Sequence, residues 1–355
     1  MNTQRETIQY LQEQCVRYPA LAAEDLLKGL HQSVFGCGHF VADEEAALAL
    51  VHRELELKEL PAEIEPLDGP YFRLHLGYLK ASGLAPETLT RLFLLSAQAP
   101  AGSAAELEER LAVLADLAAA GRIPVSPKEL ETTVSAWRQE GFPARHHSRR
   151  FRETYHPAYR VLRKEFGNLL PLLAAIDCRR RKQERVLVAL EGGSASGKTT
   201  LAALLERIYD CQVFHMDDFF LRPEQRTEER LAEPGGNVDR ERFAQEVLEP
   251  LANGQTVIYR PYDCRTGTLL PPVTSAPKGL AVVEGAYSMH PELASRYDLS
   301  AFLRIHPELQ RSRILKRNGP EMAERFFQMW VPLEQTYFEK TAAAQRCDLI
   351  LEVEA

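Results

Sequence analysis

Apolar and polar positions change rhythm once along the chain. Up to about residue 178, "AALALVHRELELKEL", "LTRLFLLSA" and "AAELEERLAVLADLAAAG" repeat apolar residues at spacings of three and four, the period of a half-buried helix, and Gly121 is a natural stop. "EPLDGPYF" and "GRIPVSP" break that pattern. "DCRRRKQER", from Asp177 to Arg185, reads as a solvated linker. Beyond it the apolar runs shorten and alternate with amphipathic helices: "RVLVAL", "CQVFHM", "QTVIYRP", "LAVVEGA", "LSAFLRIH" and, after a long helix, "CDLILEVE". Strands alternating with helices predict a parallel sheet covered on both faces. The expectation is a mainly helical N-terminal domain over 1–178 and an α/β domain over 183–355 with a doubly wound, mainly parallel sheet.

Composition changes this picture little. A chain of 355 residues, 45% hydrophobic and 26% charged, suits two soluble globular domains. A formal net charge of −7 argues against general nucleic-acid binding. Cys15, Cys37, Cys178, Cys211, Cys264 and Cys347 are scattered with no C-x-x-C pair, which fits reduced thiols. No apolar run approaches the roughly 20 residues of a membrane helix, and "MNTQRETIQYLQEQC" lacks a signal-peptide core. The expected location is cytoplasmic, with no membrane partner; a homo-oligomer stays open.

"LVALEGGSASGKTTLAALLER" carries the chemistry. Gly192-Gly193-Ser194-Ala195-Ser196-Gly197-Lys198-Thr199 fits G-x-x-x-x-G-K-[ST], between an apolar strand and the helix "TTLAALLERIY", which takes in Thr199 and Thr200. Glycines let the backbone wrap so that several N–H groups converge on a phosphate, and the helix start adds partial positive charge. Lys198 is placed to reach the β- and γ-phosphates of ATP, and the Thr199 hydroxyl to ligate Mg²⁺. Residues 192–200 are therefore the expected nucleotide site.

Strand ends supply the remaining candidates. "VFHMDDFF" finishes a strand on Asp217-Asp218, where an open parallel sheet lines its ligand crevice. One carboxylate can cap the next helix while the other takes the proton of an attacking hydroxyl. "LAVVEGAYS" ends on Glu284, at the position of a magnesium-assisting carboxylate or of a plain cap. "HPELQRSRILKRNGPE" sets Arg313, Lys316 and Arg317 on one helix face. That face is either a basic lid over the transferred phosphoryl or simply solvated.

In this order along the chain, residues 183–355 resemble the uridine kinase and phosphoribulokinase branch of P-loop kinases. "EGGSASGKTT" resembles its phosphate loop, "MDDFF" its strand-end Asp-Ser-Phe-Tyr segment, "VVEGAY" its Glu-Gly strand, "RSRILKRN" its basic lid and "CDLIL" its last strand. The resemblance implies that Asp217 is the general base. It implies that Asp239 of "GGNVDRERF" contacts sugar hydroxyls, and that Tyr262 and Asp263 of "YRPYDCRTG" border the acceptor. Gly267 stands where nucleoside-specific members carry a base-reading histidine, and Phe220 where they carry tyrosine, so the acceptor is implied only as a small-molecule hydroxyl. The expected activity is transfer of the γ-phosphoryl of ATP, with Mg²⁺, by a P-loop NTPase fold. The rival reading is a nucleotide-dependent regulator acting through the N-terminal domain on a partner.

The N-terminal half concentrates histidine, arginine and tyrosine in "HQSVFGCGHFVADEEA", "YFRLHLGY" and "ARHHSRRFRETYHPAYRVL". Two glycines flanking Cys37 suggest a turn kept for close approach. One expectation is that His39, His75 and His156 converge on a site for an anionic ligand. The others are a metal site and separate local packing. The half also resembles a module found ahead of uridine-kinase-like domains in bacterial proteins, to which no activity attaches.

Overall fold

The computed structural model describes residues 2–37, 43–57, 59–98 and 102–354. Two compact units divide the chain, Met1–Leu170 and Pro171–Ala355.

In the first unit the helices are α1 (Asn2–Arg17), α2 (Ala23–Phe35), α3 (Glu44–Leu55), α4 (Gly77–Ser82), α5 (Pro86–Ala97), α6 (Ala104–Ala119), α7 (Pro127–Gln139) and α8 (Arg149–Tyr155). Their starts are chemically marked. Asp43 and Ser103 accept the N–H groups of Ala46 and Glu106, and Pro86 and Pro127 open their helices where a missing N–H costs nothing. Between the helices lies an antiparallel sheet the helical reading did not anticipate: β1 (Ile64–Pro66), β2 (Tyr71–His75) and β3 (Tyr159–Arg163), with β2 central. All five residues of β2 are buried, so "YFRLH" shows no alternation to read. At Gly36 the expected turn after α2 is a close approach, while Gly38 lies outside the described residues. The neighbour is the Tyr71 ring: Gly36 has φ +64, and a Cβ there would meet that ring at 2.7 Å.

The second unit begins with α9 (Leu170–Arg180). This helix absorbs the first four residues of the charged run read as a linker, and Asp177 is buried against the Tyr209 hydroxyl, 3.0 Å away. The order then runs β4 (Val186–Gly192), α10 (Lys198–Ile208), β5 (Gln212–His215), α11 (Glu228–Ala232), and a long helix made of α12 (Arg240–Phe243), a π-helical turn and α13 (Glu249–Ala252). Four short strands follow, β6 (Val257–Tyr259), β7 (Tyr262–Asp263), β8 (Thr268–Leu269) and β9 (Val273–Ser275). The chain closes with β10 (Leu280–Glu284), β11 (Leu299–Ile305), α14 (Pro307–Arg325), α15 (Val331–Thr341), α16 (Ala343–Arg346) and β12 (Leu349–Val353).

Five of these strands form one parallel sheet in the order β12-β11-β4-β10-β5. The runs that read as continuous apolar strands are buried on both faces: Val188, Ala189, Leu190, Val282, Val283 and Ala301 are all inaccessible. "QTVIYRP" differs from expectation. As β6 it pairs antiparallel with β9 and stays outside the main sheet. The result is a doubly wound P-loop NTPase fold, with a core of Phe214, Phe219, Phe243, Val247 and Tyr337 supporting one end of the site.

Candidate functional site

The chain reverses direction across the sheet at β4, between β10 and β11, and the glycine-rich loop leaves β4 at that switch point. Gly192 has φ +149, and a Cβ there would lie 2.7 Å from the Leu303 carbonyl, so the loop needs glycine at its root. Ala195 (φ +61) and Gly197 (φ +100) complete the wrap into α10. Ser196 N–H bonds to the Gly193 carbonyl inside the loop. The N–H groups of Ala195, Gly197, Lys198 and Thr199 have no protein acceptor among the described residues, and they sit together at the start of a helix. A convergent set of free donors at a helix N-terminus is an anion cradle. Lys198, buried, donates its Nζ to the carbonyls of Gly192 (2.8 Å) and Gly193 (2.9 Å). Thr200 stands in the first turn of α10.

Thr199 and Glu284 meet, as expected from their strand and loop positions. The hydroxyl donates to Glu284 Oε1 at 3.0 Å. His215, which the sequence reading passed over, contacts the same oxygen through Nδ1 at 2.6 Å. That bond to Glu284 raises the His215 imidazole above its ordinary value, against the opposing effect of burial. A hydroxyl and one carboxylate suit Mg²⁺, which keeps several waters and takes its other ligands from phosphates. Among the described residues no group of three His, Cys, Asp or Glu is arranged to hold a metal by itself.

The adjacent aspartates have different surroundings. Asp218 accepts the Tyr259 hydroxyl at 3.1 Å, and its backbone carbonyl accepts Arg242. Asp217 has no hydrogen-bond partner among the described residues. The residue is exposed overall, yet the surrounding walls remove much of the hydration of its carboxylate. Desolvation raises its carboxyl, Glu284 adds to the shift and Lys198 opposes it. Asp218 is raised too, again first by desolvation, with the Tyr259 hydrogen bond opposing.

The candidates on the acceptor side are spread around this pair. The 3-10 turn carrying the aspartates (Met216–Phe219) receives the Asp239 N–H on its Phe219 carbonyl at 2.7 Å. Asp239 is buried: one oxygen caps α12 at Arg242 N–H, and the other accepts Gln225 at 2.7 Å. Tyr262 is buried at the base of the β7–β8 hairpin, and Asp263 bonds to the Arg265 N–H. The basic residues lie on the first part of α14, which breaks at Gly319 (φ +73, ψ 167) into two helical pieces, so that Arg313, Lys316 and Arg317 share the short helix before the break. Arg313 donates to the Glu354 carbonyl, Lys316 is exposed, and the Arg317 guanidinium lies 5.5 Å from the Phe326 ring. These three are not gathered on the loop.

Three further residues at the loop lacked a sequence signal. Glu191 is fully buried and accepts the N–H groups of Gly192, Tyr287 and Met289 together with the Tyr337 hydroxyl. Glu334 accepts the N–H and the hydroxyl of Ser194, and Gln310 donates to the Ser194 carbonyl. Their partners are more than 90 residues away in the chain, except for Glu191 and its neighbour Gly192.

In the first unit His75 and His156 do not converge, His75 being buried and His156 exposed, although other polar residues of the same segments meet. Arg73 (1% exposed) donates to Glu65 at 2.7 Å and to Gln32 at 2.8 and 3.0 Å, and His75 contacts Glu65 at 2.9 Å. His147 bridges Asp25 (2.9 Å) and Tyr159 (2.7 Å). Burial pushes the His147 imidazole down to about 4, against the raising effect of Asp25. His156 is exposed at the end of α8, and His39 lies outside the described residues.

No protein-family model matches the chain, and no curated protein matches it. Solved structures do. One called a possible uridine kinase from Bacillus stearothermophilus is 21% identical, covers 51% of this chain and 98% of its own, and has a TM-score of 0.39. A protein named as a fructose transport system kinase, from Silicibacter, is 26% identical over 50% of this chain and 96% of its own, with a TM-score of 0.41. Shikimate kinase from Bacteroides thetaiotaomicron is 16% identical over 47% of this chain and 86% of its own, with a TM-score of 0.25. No described helix is long and apolar enough to cross a membrane.

Proposed function

We propose that the second unit is an ATP-dependent phosphotransferase acting on a hydroxyl of a small molecule, in the manner of uridine-kinase-like enzymes. The observation that carries this reading is Asp217: a carboxylate with no hydrogen-bond partner among the described residues, beside the Lys198 and Glu284 groups that would face a triphosphate. Loop N–H groups from Ala195 onward and Lys198 hold the β- and γ-phosphates. Thr199 and Glu284 hold Mg²⁺, which neutralises phosphate charge when bound. Asp217 accepts the proton of the attacking hydroxyl, while Asp218, held by Tyr259, shapes the floor beside it. Asp239, Tyr262 and Asp263 border the acceptor, Asp239 by fixing Gln225 and the turn at Phe219. Arg313, Lys316 and Arg317 belong to the segment that closes on the transferring group, with the Gly319 kink beside them.

The test is an ATP-consumption screen of the full chain against nucleosides, sugars and vitamin-like alcohols, with Lys198→Ala as the control. The expected result is turnover with one acceptor class and its loss in the variant. Tight ATP binding without turnover on any hydroxyl would favour the regulator reading instead.

A further inference from the structure

Ser194 is gripped from outside the loop. Glu334 of α15 takes its N–H at 2.8 Å and its hydroxyl at 2.6 Å, one contact to each carboxylate oxygen. Gln310, in the first turn of α14, takes its carbonyl at 2.9 Å. Three residues further along α15, on the same helix face, Tyr337 donates at 3.1 Å to Glu191, which in turn accepts the Gly192 N–H. A single turn of α15 therefore holds the loop at two points, and Glu334 is itself buried. The residue after the clamp, Ala195, is left-handed (φ +61), a conformation an alanine keeps only where its surroundings impose it. This reversal separates the Ser194 N–H, held by Glu334, from the free N–H groups of Ala195, Gly197, Lys198 and Thr199.

Resting on the phosphotransferase reading above, we propose that Glu334 is a positioning residue for the phosphate cradle: by reach and hydrogen bonding, it holds Ser194 in place and so aims the N–H groups of Ala195, Gly197, Lys198 and Thr199 at the nucleotide. Shape, and not the negative charge, is the useful property, since a carboxylate beside a triphosphate repels it.

Two near-isosteric variants separate these properties in the full chain. Glu334→Gln keeps the reach and can accept the Ser194 N–H while donating to its hydroxyl. Glu334→Asp keeps the charge and loses one methylene of reach. Calorimetric titration with Mg·ADP is expected to show affinity within about threefold of the parent for Glu334→Gln and roughly tenfold weaker for Glu334→Asp, the scale of one unmade buried hydrogen bond. The unfolding midpoint without nucleotide should fall no further in the Asp variant than in the Gln variant. Parent-like affinity in Glu334→Asp, or equal weakening in both, would overturn the proposal while leaving the phosphotransferase reading intact. A parent protein that binds no Mg·ADP would overturn both.

Discussion

Replacing Glu191 tests how the site is built. Its carboxylate is inaccessible to solvent and joins the loop root (Gly192), the turn after β10 (Tyr287, Met289) and α15 (Tyr337). Glu191→Ala strands three N–H groups and one hydroxyl, at about 1–3 kcal/mol each before relaxation, so a loss of about 4 kcal/mol or more is expected. Glu191→Gln is the sharper probe. Its amide keeps two of the acceptor contacts but faces the Met289 N–H with a second donor, a cost of ~2 kcal/mol. Burial pushes the Glu191 carboxyl from 4.5 up to about 7, against the lowering effect of its N–H donors. Because the folded value lies above the unfolded one, the native state holds the proton more tightly. Stability from this group is full below 4.5 and is lost as pH rises through about 7. At 1.36 kcal/mol per tenfold, the parent should lose about 2.5 kcal/mol relative to Glu191→Gln between pH 5 and pH 8. Trp137 and Trp330 are the only tryptophans and lie in different units, so a Trp137→Phe background reports the second unit alone in urea unfolding. A parent advantage that grows with pH would refute the reasoning, because the three donors would then outweigh burial.

Asp217→Asn should leave ATP binding near normal and lower kcat by on the order of 10²–10⁴, with a smaller loss for Asp218→Asn, as measured by steady-state kinetics. Since the Asp217 carboxyl is raised, parent activity should climb with pH through a value above the usual carboxylate range, and this limb should be absent from the Asn variant's pH profile. Arg73→Met leaves Glu65 buried without its cation and should cost the first unit about 3–5 kcal/mol; Trp137 fluorescence during unfolding measures it. Gly36→Ala imposes a left-handed alanine and a Cβ at 2.7 Å from the Tyr71 ring, for which ~3 kcal/mol is expected in the same assay.

The second unit was legible because its chemistry is local. Strand, glycine loop and helix follow one another within 21 residues, so the sequence alone placed residues 192–200 at the carboxyl end of the central strand. Asp217 and Glu284 follow from the same rule, as carboxylates just past or at strand ends: Glu284 on β10 is level with Leu190 of β4, and Asp217 follows β5 on the far side of β10. Gln310 and Glu334 escaped it because tertiary packing alone brings them to the loop: nothing in "WVPLEQTYF" marks a residue that will hold Ser194, 140 positions earlier, and Glu191, although next to Gly192 in the chain, finds its other partners 96 to 146 positions on. His215 lies only two residues before Asp217, but no motif in "VFHMDDFF" sets its side chain apart from the aspartate pair.

The first unit resisted for a different reason. Its sheet is too short for periodicity, and β2 carries Arg73 and His75 on a strand buried at every position, which defeats the rule that charged residues face water. Those residues stand out in the sequence as an excess of polar chemistry in a helical region, which leaves a ligand site and separate local packing both open. The packing supplies another account of most of them. Arg73 has Glu65 and Gln32, His147 has Asp25 and Tyr159, and Ser148 returns to Asp25 through both its N–H and its hydroxyl. Buried ions paired in this way cost much of what they return, and their best-attested use is to fix which segments meet. Here they join β1, β2 and β3 to α1 and α2 and tie the 145–148 segment to α2, contacts spanning up to 123 residues that apolar packing alone would specify less uniquely.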